Sequence, residues 1–204
     1  MNENDEVREL AAGDGTVFIF RYVALRFDGA HSTDIFARKN NKSLAETLAH
    51  RRYNGLANEA AQFDQFMDIP LGQFLADLKN EGNAFYRRFL NKHGDKRFTT
   101  FMIDDPTILA KKGVYAYYVG AELRYIGRCR DTMKQRINQG YGKIHPKNCY
   151  IDGQSTNCHL NYRITEARDQ VSLWLCSLQS DEEIVSIEAQ LVRKYRPEWN
   201  IQML

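Results

Sequence analysis

The chain has 204 residues, of which 43% are apolar and 26% charged, and a net charge of +2 at pH 7. That composition excludes a disordered chain, and the absence of any apolar run of about 18 residues excludes a membrane-spanning helix. An acidic, polar start without a basic or apolar stretch, and four cysteines without CxxC spacing, lead to the expectation of a reduced, cytoplasmic protein with no membrane partner. The small net charge conceals an asymmetry. Residues 1–110 carry 14 basic and 16 acidic side chains, residues 111–163 carry 10 and 3, and residues 164–204 carry 4 and 7. A basic island of this kind is either a solvated face or the footprint of a polyanion such as nucleic acid.

Residues 1–14 read as a frayed tail. Thr16 to Phe27 is rich in β-branched and aromatic residues and predicts one strand or two, ended by Asp28-Gly29. Ser43 to Ala57 predicts a helix, with Ser43 as cap and Glu46 three residues on. Glu59 to Phe66 and Leu71 to Leu78 predict two more helices, broken at Pro70. Asn83 to Leu90 predicts a short helix on the spacing of Phe85, Tyr86, Phe89 and Leu90. Arg97 to Ile103 predicts a strand that ends at Asp105-Pro106.

The texture then changes. Gly113 to Val119 and Leu123 to Gly127 predict a hairpin across Gly120-Ala121-Glu122. Asp131 is expected to cap a helix running to about Gln139. Gly140 to Asn161 reads as irregular, with a helix near its end. Val171 to Leu178 predicts a strand. A helix from Asp181 to just before Pro197 carries Asp181, Glu182 and Glu183 in its first turn, where the macrodipole favours acids.

Chemistry concentrates in this second half. Glu188 sits on a largely apolar helix among Ile184, Ile187, Leu191 and Val192. A carboxylate there is partly desolvated and needs a cation or hydrogen-bond donors. Tyr115 and Tyr125, read alone, are core aromatics of the hairpin, and Tyr117, Tyr118 and Tyr150 are read as core aromatics too. Together, however, Gly113-Val114-Tyr115 and Tyr125-Ile126-Gly127 resemble the paired motif that names the GIY-YIG nuclease superfamily. The resemblance extends to Arg136 on the following helix, Glu188 on the helix after the third strand, and Asn200 behind Tyr195-Arg196-Pro197. It covers about 90 residues, from Gly113 to Asn200.

The resemblance implies phosphodiester hydrolysis with Tyr115, Tyr125, Arg136, Glu188 and Asn200 as site residues. Glu188 is the expected ligand of one Mg²⁺ (or Mn²⁺), a hard cation that one carboxylate can hold with water completing its shell. Arg136 offers a planar fork to phosphate oxygens. Tyr115 is expected to take a proton from the attacking water, which requires Arg136 and Arg128 to lower a phenol that ordinarily titrates near 10. Tyr125 orients water or phosphate, and Asn200 supports the site. In many relatives a tyrosine or histidine stands one helical turn after the arginine. Here that position is Gly140, so the part falls to Tyr141 or His145.

The interval 141–161 is long for a minimal domain and reads as an insert. Lys143, Lys147, Asn148 and Asn157 are its candidate DNA contacts. His145, Cys149, Cys158 and His159 are an alternative zinc set, although Cys149 to Cys158 is wide for one. The expectation is therefore an α/β protein. Residues 111–204 would form a GIY-YIG-type domain with a small three-stranded antiparallel sheet flanked by helices. Residues 1–110 would form a mostly helical region with strand content, for DNA recognition or dimerisation. The expected activity is metal-dependent cleavage of double-stranded DNA in restriction or phage defence. The alternatives are a structure-specific repair or recombination nuclease and a non-catalytic DNA-binding module. A homodimer on DNA is expected, joined through Phe85, Tyr86, Phe89 and Leu90 or the strand Phe18 to Leu25, unless those residues cover the chain's own sheet.

Overall fold

The computed structural model describes residues 6–200. Its strands are β1 (Val7–Ala11), β2 (Val17–Val23), β3 (Arg26–Ser32), β4 (Phe98–Met102), β5 (Gly113–Val119), β6 (Glu122–Cys129) and β7 (Val171–Ser177). Its α-helices are α1 (Leu44–Leu48), α2 (Ala57–Ala60), α3 (Leu71–Asn80), α4 (Pro106–Leu109), α5 (Ser155–Glu166) and α6 (Asp181–Tyr195). The chain divides into two compact units. They do not follow the expected boundary at residue 110/111. The first comprises residues 1–29, 100–143 and 163–204, and the second residues 30–99 and 144–162.

The first unit is built on an antiparallel sheet of five strands in the order β1-β2-β7-β5-β6. The expected three-stranded sheet is therefore too small. The trio β7-β5-β6 is present, but β2 pairs with the outer edge of β7 through Arg21↔Leu175 and Val23↔Leu173, and β1 pairs with β2. The physical reason is that β7 would otherwise carry an open hydrogen-bonding edge. Part of the supposed N-terminal tail thus becomes a strand. A separate two-stranded sheet pairs β3 with β4, and β3 continues through Asp28-Gly29 rather than ending there.

Central β5 is buried along nearly its whole length. On one face, α6 lays Ile184, Ile187, Leu191 and Val192 against Val114, Ala116, Tyr118, Ile126 and Trp174. Each such aliphatic side chain contributes about 1.5–3 kcal/mol when removed from water. Ser180 caps α6 by accepting from the Glu183 amide, the three acids stand in the first turn, and Arg193 and Lys194 in the last. Arg196 adopts a left-handed conformation (φ 44°) and Pro197 follows, so the helix stops.

The second unit is the helical one. Ser43 and Glu46 form the expected capping box, but α1 stops at Leu48 because the chain turns to bury Tyr53 and Leu56. The expected helices over 59–66 and 83–90 are largely 3₁₀. This tighter winding eclipses side chains three apart, so Tyr86 and Phe89 enter the core together. Tyr86, Phe89 and Leu90 are buried there, which removes them from any dimer surface. On the strand 18–25, Phe20 and Val23 are likewise buried, while Ile19 is exposed.

The presumed insert belongs to this same core, contributing Ile144, Cys149, Tyr150 and Cys158. The helix expected near its end is α5, which begins at Ser155, and Pro146–Cys149 adds a 3₁₀ turn. Among the described residues no helix is long and apolar enough to cross a membrane.

Candidate active site

Alternation along β5 sends Tyr115 and Tyr117 to the sheet face opposite α6. Register places Gly127 across from Tyr115 and Tyr125 across from Tyr117. Four tyrosine rings collect there: Tyr115 lies 6.0 Å from Tyr125 and 6.5 Å from Tyr141, and Tyr117 lies 6.3 Å from Tyr141. The Tyr117 and Tyr141 hydroxyls are hydrogen-bonded at 3.1 Å.

Gly127 makes this arrangement possible. A Cβ on it would stand 2.6 Å from the Tyr125 ring and 2.7 Å from both the Tyr115 ring carbon and its hydroxyl. Gly113 answers a different demand. Its φ is +151°, and a Cβ would meet the Cys176 carbonyl at 2.0 Å. The two glycines of the sequence pattern thus act by close approach, one to side chains and one to backbone.

Arg136 and Tyr141 come from one helical segment, Lys134–Tyr141, which begins later than the expected helix and winds with π geometry. The Gly142 amide donates to the Ile137 carbonyl, five residues back. The π turn adds one residue to the repeat and the backbone kinks at Gly140 (φ −97°, ψ −114°), so the side chain that meets Arg136 from the next turn is at i+5 rather than i+4. That is why Tyr141, not Gly140, lies beside Arg136, whose guanidinium stands 5.7 Å from the Tyr141 ring centre. His145 does not take this part. It caps the 3₁₀ turn, accepting from the Lys147 amide.

The Arg136 Nε donates to the Tyr115 hydroxyl at 2.9 Å. Arg136 is half-buried, and its pKa is raised, first through Tyr115 and against its own desolvation. Tyr115, Tyr117 and Tyr141 are buried, and their phenols are held well above 10, with desolvation the largest cause in each. Arg136 opposes this at Tyr115 but does not overcome it. Tyr115, 0% exposed, is therefore a protonated hydroxyl at neutral pH that fixes the guanidinium, and the expected base role does not fit its surroundings. Arg128 does not act on it. Its side chain points to the α6 side of β6 and donates to Glu188 Oε2 at 2.9 Å.

Glu188 projects from α6 with its side chain 19% exposed. Burial raises its pKa, while Arg128 and then Arg136 lower it. Asn200 has a defined task next to the tyrosines: its Oδ1 accepts from the Ile126 amide at 3.0 Å and its Nδ2 donates to the Ile126 carbonyl at 2.7 Å. The side chain substitutes for a neighbouring strand at the sheet edge, between Tyr125 and Gly127.

Tyr117, by its sequence a core aromatic, joins this cluster. Its spacing of two from Tyr115 on one strand is the signal that puts it in the cluster. Lys143 and Lys147 are exposed. Asn148 accepts from the His145 amide, and Asn157 is buried with its amide donating to Gln154, which removes Asn157 as a DNA contact. As for the zinc alternative, His145 is engaged in capping the 3₁₀ turn, and Cys149 and Cys158 are buried. Among the described residues no group of three or more histidine, cysteine or acidic side chains is placed to hold a metal. Comparison of the chain with protein-family models, with curated proteins and with solved structures finds no match.

Proposed function

We propose that the chain is a metal-dependent endonuclease of GIY-YIG type that hydrolyses phosphodiester bonds of double-stranded DNA, acting in restriction or phage defence. The observation that carries this reading is the convergence of Tyr115, Tyr125, Tyr141 and Arg136 on one sheet face, together with the Glu188 carboxylate held by Arg128 from the adjacent strand β6. A partly desolvated carboxylate paired with a guanidinium suits a site where positive charge gathers around phosphate oxygens.

Arg136 uses its Nε to bind Tyr115, and its terminal nitrogens are the donors for phosphate. Tyr115 and Tyr141 hold that guanidinium, Tyr117 holds Tyr141 in turn, and the buried rings keep water from one side of it. Glu188 fits a hard divalent cation as a single carboxylate, with water and phosphate as the remaining ligands. Mg²⁺ or Mn²⁺ held there neutralises phosphate charge and acidifies water when bound. Arg128, the present partner of Glu188, is 46% exposed and can yield that oxygen at little cost. Cutting both strands needs two sites of opposite polarity, which two copies about a two-fold axis supply.

The test is incubation of the purified chain with supercoiled plasmid and Mg²⁺, with chelator as control. Discrete linear fragments are expected. Cutting confined to flaps or lesions assigns the site to repair or recombination. A gel shift with no cleavage makes the chain a DNA-binding module.

A further inference from the structure

A row of residues runs in register across the sheet on the tyrosine face: Arg21 on β2, Leu175 on β7, Tyr115 on β5 and Gly127 on β6. Strands lie about 4.8 Å apart, so Arg21 stands roughly 10 Å from Tyr115, which is the axial rise of about three nucleotides of one DNA strand. Beside Arg21 the sheet face is open, and a cleft of about 220 Å³ is lined by Ile19, Arg21, Ile108, Lys111, Leu175 and Ser177. Its lining includes two cations and no carboxylate, although Asp105 lies within electrostatic reach of Lys111. Among the described residues, neither Arg21 nor Lys111 forms an ion pair or a side-chain hydrogen bond. Two like charges in one cleft repel unless an anion joins them. The apolar walls strengthen that attraction by lowering the local dielectric.

We propose that this cleft holds one backbone phosphate of the same duplex DNA, a few nucleotides from the scissile bond. Arg21 meets it with a planar fork and Lys111 as a point charge. The assignment rests on the endonuclease reading. It accounts for the extra strands β1 and β2, since β2 supplies Arg21 and extends the site's sheet face to the flanking strand.

The test is fluorescence anisotropy of a labelled 20-base-pair duplex without divalent metal, from 50 to 200 mM salt. It compares the wild-type chain with Arg21→Gln/Lys111→Gln and with the charge-preserving Arg21→Lys/Lys111→Arg. Circular dichroism confirms that the exposed substitutions leave the fold intact. With one phosphate no longer neutralised, the glutamine pair should show a salt slope shallower by about 0.9 and an affinity about tenfold weaker at 0.1 M salt. The charge-preserving pair is expected to retain the wild-type slope. Unchanged affinity and slope in the glutamine pair overturn the cleft and leave the endonuclease reading standing, and so does an equal slope loss in the charge-preserving pair. A wild-type chain that binds no duplex at 50 mM salt overturns the endonuclease reading and the cleft with it.

Discussion

Replacing Gly127 by alanine adds one methyl group at the most crowded point of the tyrosine face. The new Cβ would stand 2.6–2.7 Å from the Tyr125 ring and from the end of Tyr115, where ordinary contact begins at 3.4 Å. One or both rings must therefore retreat by about 0.7 Å. Tyr125 lies on an edge strand and can give way in part. Tyr115 is fully buried and tied to Arg136, so its movement strains packing and stretches a charge-assisted hydrogen bond. Overpacking of a filled core costs about 1–3 kcal/mol, and a hydrogen bond to a charged group is worth about 1.5–3 kcal/mol. We expect a total of about 2–5 kcal/mol, measured by urea unfolding. The same substitution in a Tyr115→Ala background should cost clearly less, because the rigid one of the two obstructing rings and its bond to Arg136 are gone while the edge-strand Tyr125 can give way. A cost below about 0.5 kcal/mol, or the same cost in both backgrounds, would refute the close-approach account of this glycine.

Three further outcomes follow from the site. The phenols of Tyr115, Tyr117 and Tyr141 are raised in the folded state, so stability is fully present below pH 10 and lost above it. The expected slope is about 1.4 kcal/mol per pH unit for each phenol, and tyrosinate absorbance from these rings should appear only with unfolding. Appearance of their tyrosinate in the folded chain near pH 8 would contradict this. Glu188→Gln removes a carboxylate whose pKa is raised by burial. Because that raised pKa weakens the fold as pH climbs above 4.5, the variant should match or exceed wild-type stability at pH 7. A large loss of stability there would mean that the Arg128 pair is a structural tie. Asn200→Ala leaves the Ile126 amide and carbonyl unpaired at the edge of β6, an expected loss of about 1–3 kcal/mol by thermal unfolding. A melting point equal to wild type would show that water replaces the side chain.

The sequence was most legible where local periodicity and long-range packing agree. Strand β5 and helix α6 are buried against each other and carry the patterns that predict them. Pairing between distant strands has no local signature, which is why β1 read as a tail and the sheet as three strands. Two asparagines illustrate the same limit. Asn200 at Ile126 and Asn161 at Thr99 each bind both backbone groups of one strand residue, yet neither has a spacing that announces it. The π turn was visible only as a discrepancy, Tyr141 standing one residue beyond the expected place. The insert read as polar because its buried Ile144, Cys149, Tyr150 and Cys158 are scattered among amides and lysines. The protonation of Tyr115 was illegible too, since burial, not the nearby arginine, decides it.

The central claim is that Arg136 and Glu188 serve cleavage rather than folding. Its most direct test is plasmid cleavage under Mg²⁺ by the wild-type chain, Arg136→Lys and Glu188→Gln, alongside duplex binding by each. We expect Glu188→Gln to bind DNA at least as tightly as wild type, since a negative charge facing phosphate is gone, while cleavage falls below detection. Arg136→Lys, which keeps the charge and loses the fork, should cut at least about 10²-fold more slowly while remaining folded. Cleavage by either variant at the wild-type rate would contradict the account.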